Sequence, residues 1–145
     1  MTPGARTEPF RPSGRLSVLL LFAVFAVPAW GAEIRVRPGE SIAAAVAMAK
    51  SGDTVKVAHG YYHEHIRIDK PLTLQGIGRP TLSGDEEGDV IRIAAKNVTV
   101  DGFIIRDSGG DLTAQNAGVY LQPGSDNAVV SHCDLVYNLF GLWIE

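Results

Sequence analysis

The chain has 145 residues, of which 46% are hydrophobic and 20% charged, with a formal net charge of −3. That balance fits one globular domain and excludes a disordered chain, while the lack of a basic excess argues against nucleic acid as a partner. One cysteine, Cys133, excludes an internal disulfide, so stability has to come from packing.

Arg6, Arg11 and Arg15 precede an apolar run over 16–27, which is followed by Pro28 and the small-x-small tripeptide Ala29-Trp30-Gly31. The run is shorter than the roughly 20 residues a membrane-spanning helix needs, so 1–31 reads as a secretory signal peptide cleaved near Gly31 or Ala32. Its removal takes away three Arg and one Glu and moves the formal charge from −3 to −5.

The next segment, 32–52, holds an opening strand over 33–37 that ends at Pro38-Gly39. Ser41 then caps an alanine-rich stretch over 42–49, where Ile42, Val46 and Ala49 recur at helical spacing. From Asp53 to Glu145 the pattern changes to short period-two strands, expected at 54–58, 61–68, 72–74, 81–82, 90–93, 98–100, 103–105, 119–121, 129–130, 135–136 and 142–144.

These strands repeat. Asn97-Val-Thr-Val-Asp-Gly-Phe-Ile-Ile-Arg-Asp-Ser108 aligns with Asn127-Ala-Val-Val-Ser-His-Cys-Asp-Leu-Val-Tyr-Asn138, and Pro71-Leu-Thr-Leu-Gln-Gly-Ile77 is an earlier copy. A second register repeats as Ala117-Gly-Val-Tyr-Leu-Gln122 and Phe140-Gly-Leu-Trp-Ile-Glu145. Short strands at a period in the twenties, without intervening helices, predict an all-β solenoid: a right-handed parallel β-helix of about three to four coils. The stretch 42–49 is expected to be its N-terminal cap, because an open solenoid end exposes unpaired backbone and apolar core. The uneven spacing places loops at 84–88 and 108–114. An alternating strand runs up to Glu145 with no polar cap after it, so the repeats are read as truncated at the C-terminus, with self-association expected through that end.

Few residues carry chemistry. If the chain is extended through His63-Glu64-His65, the two histidines share a face about 7 Å apart, with Glu64 on the other. Together with His59 from the preceding turn they form a candidate metal site, imidazole suiting copper and zinc. Tyr120 and Trp143 occupy one register a coil apart and alternate with apolar residues, which makes them an outward aromatic ladder able to stack on a sugar ring. Cys133 aligns with Phe103 and is expected to fill the core. Asp101, Asp107, Asp111, Asp126 and Asp134 fall mostly at turns, and no repeat spacing pairs two of them for general acid and base work.

Gly52-Asp-Thr-Val-Lys-Val, and then Gly60-Tyr-Tyr-His-Glu-His-Ile-Arg-Ile-Asp-Lys-Pro-Leu-Thr-Leu-Gln-Gly76, resemble the opening of parallel β-helix proteins of the carbohydrate-binding and sugar-hydrolase type. Within that group the chain, from about Glu33 to Glu145, resembles the NosD family. The resemblance implies a periplasmic accessory protein that works with an ABC transporter in maturing the copper centre of nitrous oxide reductase, and it makes copper the metal expected at His59, His63 and His65. It implies no catalytic residue, so the chain is expected not to be an enzyme. The pattern Gly-x-Tyr-x-Glu also occurs in pectin methylesterases, which keeps a carbohydrate-active enzyme of the esterase, lyase or epimerase type, or a polysaccharide-binding module, as the alternative. Against the esterase, this chain has Tyr137-Asn-Leu-Phe-Gly141 where a Gln-Asp turn would fall.

Overall fold

The structure is a computed structural model that describes residues 4–5 and 31–145. The apolar run expected to act as a signal peptide lies outside the described residues. No helix among those described is long and apolar enough to cross a membrane.

Strand β1 (Glu33–Val36) is followed by α1 (Ile42–Met48), the single helix among the described residues, and then by twelve short strands in groups of three. The groups are β2 (Thr54–Val57), β3 (Tyr61–His63) and β4 (Ile66–Ile68), then β5 (Thr73–Gly76), β6 (Thr81–Ser83) and β7 (Ile91–Ile93). They continue with β8 (Thr99–Asp101), β9 (Ile104–Arg106) and β10 (Ala117–Leu121), and end with β11 (Val129–Ser131), β12 (Asp134–Val136) and β13 (Phe140–Ile144). Every third strand stacks in parallel on its predecessor, giving sheet A as β1-β2-β5-β8-β11, sheet B as β3-β6-β9-β12 and sheet C as β4-β7-β10-β13. This is a parallel β-helix, as the repeat predicts.

The number of turns differs from the expected three to four. Sheet A has five strands, so the solenoid has four complete turns preceded by a first turn made of β1 and α1. The repeat hides this turn because the helix replaces two strands. Glu33–Val36 pairs residue by residue with Thr54–Val57, so β1 is the first rung of the stack. The expected continuous strand over 61–68 is two strands meeting at a corner, and loops occupy both of the expected places, between β6 and β7 and between β9 and β10.

Alternation decides which side chains enter the core. Column by column, the inward positions are Val55, Leu74, Val100 and Val130 in sheet A, and Tyr62, Leu82, Ile105 and Leu135 in sheet B. In sheet C they are Ile66, Ile91, Val119 and Leu142, beside Ile68, Ile93, Leu121 and Ile144. Like stacks on like in successive turns, which keeps one core continuous along the axis. In the last turn Leu142 is 44% and Ile144 68% exposed, since β13 pairs on one side only.

At the other end α1 covers the core, burying Ile42, Ala45 and Val46. Ser41 caps it as expected, its Oγ accepting from the Ala44 amide at 3.0 Å. Asp53 fastens the turn after the helix by accepting from the amides of Lys50 (2.7 Å) and Ala32 (2.8 Å).

Candidate functional site

Strand β3 ends at His63 and β4 begins at Ile66, so Glu64 and His65 form the corner between sheets B and C. The three candidate histidines therefore sit on separate parts of one turn rather than on one strand face. His59 Nδ1 lies 2.8 Å from the Gly78 carbonyl, His65 Nδ1 2.8 Å from the Asp89 carbonyl, and His63 Nδ1 2.6 Å from Asp85 Oδ1. A carbonyl accepts only, so His59 and His65 carry their proton on Nδ1, and in the neutral ring the lone pair is on Nε2. This resembles the way a metal-binding imidazole is oriented by a partner on its other nitrogen. Among the described residues, however, no group of three or more His, Cys, Asp or Glu side chains is placed to hold one ion. The Asp85 carboxyl is held below its usual range, first by His63 and then by the Ser83 hydroxyl, against the opposing effect of burial.

Glu64 bonds to the preceding turn, whereas these rings bond to the following one. Its carboxylate accepts from the Ser41 hydroxyl (3.0 Å) and from the amides of Ile42 (3.1 Å) and Ala43 (2.8 Å), at the N-terminus of α1. That leaves it no part in a metal site.

The outward face of sheet C carries one column: Arg67, Arg92, Tyr120 and Trp143. The register expected for Tyr120 and Trp143 is present. The free ring face is not, because Tyr120 is only 5% exposed, with the Arg92 guanidinium 4.3 Å from its ring centroid. Its hydroxyl donates to Glu145 at 2.9 Å, a bond that raises the phenol pKa, with burial adding to the effect. Trp143 is half-buried, and the Phe140 ring lies 4.8 Å away at 50°. Stacking on Tyr120 is thus supplied from within the chain.

Several carboxylates are committed to partners. Asp101 accepts from His132 Nδ1 (2.6 Å) and Ser131 Oγ (2.8 Å), which hold its pKa below the usual range in that order. Asp134 pairs with Arg79, Asp107 with Arg106 at 2.6 Å, and Asp111 accepts from the Thr113 amide at 2.8 Å. Cys133 packs against the core as expected, and burial raises its thiol pKa.

Sequence reasoning passed over the arginines of this column. Ile66-Arg67-Ile68 and Ile91-Arg92-Ile93 are one tripeptide written twice, and that repetition was the available signal that the two arginines lie side by side. His65, Ile66, Arg67, Asp89 and Arg92 line a cleft of about 290 Å³.

The chain is similar to three curated proteins, each named probable ABC transporter binding protein NosD. One, from Pseudomonas aeruginosa, is 29% identical over 89 residues, covering 61% of this chain and 21% of that protein. Another, from Stutzerimonas stutzeri, is 24% identical over 135 residues, 93% of this chain and 29% of that protein. A third, again from Pseudomonas aeruginosa, is 34% identical over 62 residues, 43% of this chain and 57% of its own length. The chain thus spans less than two thirds of each relative. No protein-family model and no solved structure matches it.

Proposed function

We propose that this β-helix is a periplasmic accessory protein of an ABC transporter and serves the maturation of the copper centre of nitrous oxide reductase. The observation that carries the reading is the similarity to the Stutzerimonas NosD, which runs through 93% of this chain. The fold is compatible with such work, because a solenoid offers long, rigid outer faces on which partners can dock. Several of the carboxylates an enzyme would need are held by arginine, histidine or backbone amides.

Copper enters this reading as cargo. His63, His65 and His59 are the residues proposed to contact it, each through Nε2, since Nδ1 is taken in all three. Self-association of these 145 residues in isolation, through the exposed Leu142 and Ile144 edge of β13, belongs to the same proposal, and light scattering across a dilution series tests it.

The decisive experiment is deletion of the gene in its host, followed by measurement of nitrous oxide reduction and of copper in the purified reductase. The expected outcome is accumulated nitrous oxide and a copper-deficient reductase, restored by the gene in trans. A fully metallated, active reductase in the deletion strain overturns the reading.

A further inference from the structure

We infer that the cleft between β4 and β7 binds a small oxyanion, held between Arg67 and Arg92. The two arginines are direct register partners on adjacent parallel strands and point outward from the same column. Neighbouring strands lie about 4.8 Å apart, and like charges placed directly opposite each other destabilise a sheet.

The surrounding charges offset Arg92 but not Arg67. Asp89 is the one carboxylate lining the cleft, and both of its oxygens are in use. Oδ2 pairs with the Arg92 guanidinium, while Oδ1 accepts from the Ala117 amide at 2.9 Å. Its side chain is only 4% exposed, so it is unable to swing out towards Arg67. Arg67 has a neutral partner instead, the Gln122 amide oxygen at 3.2 Å. Two nearby acids are engaged elsewhere: Glu64 caps α1, and Glu145 accepts from the Tyr120 hydroxyl.

The result is a recess of about 290 Å³ with two guanidinium groups, one buried carboxylate and the imidazole of His65. Arg92 is fixed in place from two sides, by Asp89, which takes its Nε and an Nη2 proton, and by the Tyr120 ring, so that its Nη1 end is oriented before any ligand arrives. Arg67 is exposed, and its hydrogen bond to the neutral Gln122 oxygen can be exchanged for a stronger one to a charged ligand. Planar donor forks of this kind match the oxygens of phosphate, sulfate or a carboxylate. An oxyanion between them turns the like-charge pair into a bridged one and is drawn to a local positive site on a protein of net negative charge.

The test is thermal unfolding of the full chain in phosphate, sulfate or acetate, each against chloride at matched ionic strength. Wild type, Arg67→Gln and the control Arg35→Gln are compared, Arg35 being an exposed arginine outside the cleft. In wild type and the control, at least one oxyanion raises the midpoint by about 5 °C at concentrations well above its dissociation constant, and the arm that does so identifies the ligand class. In Arg67→Gln that rise disappears. Without oxyanion, Arg67→Gln unfolds no earlier than wild type, because the substitution removes a repulsion; a purely structural Arg67 would make the variant less stable under every condition. The inference is overturned if no oxyanion stabilises wild type beyond chloride, or if Arg67→Gln retains the full shift.

Discussion

Glu64 and Lys70, both from the second turn of the solenoid, close on opposite ends of helix α1. Glu64 accepts from the Ser41 hydroxyl and the Ile42 and Ala43 amides, and the Lys70 ammonium donates to the carbonyls of Val46 (3.2 Å), Ala47 (3.1 Å) and Ala49 (3.1 Å). The negative charge sits at the positive end of the helix dipole and the positive charge at its negative end, while both sets of unpaired backbone groups gain partners. A helix of seven residues would not be stable by itself in water, so these two side chains and the buried Ile42 and Val46 are what hold the cap on the core. Glu64→Ala is expected to cost about 1–3 kcal/mol and Lys70→Met about 1 kcal/mol. The double variant should lose less than the sum, because both residues hold one element. Urea unfolding of the four proteins checks this, and full additivity would show that the two ends act independently.

Asp53 sets an acid limit on the same end of the molecule. Its carboxyl is held below the usual range, first by the Lys50 amide and then by the Ala32 amide, with burial opposing them. A carboxylate whose folded pKa is depressed contributes stability above its unfolded pKa of about 3.9, and that contribution is lost as pH falls through the folded value. Asp85 and Asp101 are depressed as well, chiefly by His63 and His132, and add to the slope in the same direction. The unfolding midpoint should therefore fall steeply below about pH 4. Asp53→Asn is expected to be less stable at pH 7 and to show a shallower slope in the acid range. A slope identical to that of wild type would remove Asp53 from this account.

The corner after sheet A depends on glycine. Gly102 has φ +80°, and a Cβ there would lie 2.8 Å from the Gly76 carbonyl oxygen in the turn below. Gly39 has a similar φ of +88° but open space around its missing Cβ. Gly39→Ala is thus expected to cost about 1 kcal/mol from backbone strain alone, and Gly102→Ala about 3 kcal/mol from strain plus a backbone clash. Equal costs in denaturant unfolding would mean that the stacked turns can move apart without penalty.

Copper titration tests the histidines. The wild-type chain is expected to bind more copper than the His63→Ala/His65→Ala variant, with the difference appearing only at a pH where the imidazoles are neutral. Equal stoichiometry in the two proteins ends the assignment.

The repeated pattern of alternating apolar residues determined by itself that this chain is a parallel β-helix, where nearly every strand falls, and that Ser41 starts a capping helix. Such features are local: a period of two selects inward positions, and copies of the same strand stack because the same shape fits itself. The sequence also carried the register of Tyr120 over Trp143. It did not reveal what covers those rings or where the corners turn. His63 and His65 look like neighbours on one strand until the chain bends at Glu64, and Tyr120 looks free until Arg92, from the preceding turn, lies on it. Contacts between turns join residues 19 or more positions apart, and their partners depend on loop lengths that differ from turn to turn. Only the wound chain decides which charge meets which, as when Glu64 meets the helix and Arg67 is left beside Arg92.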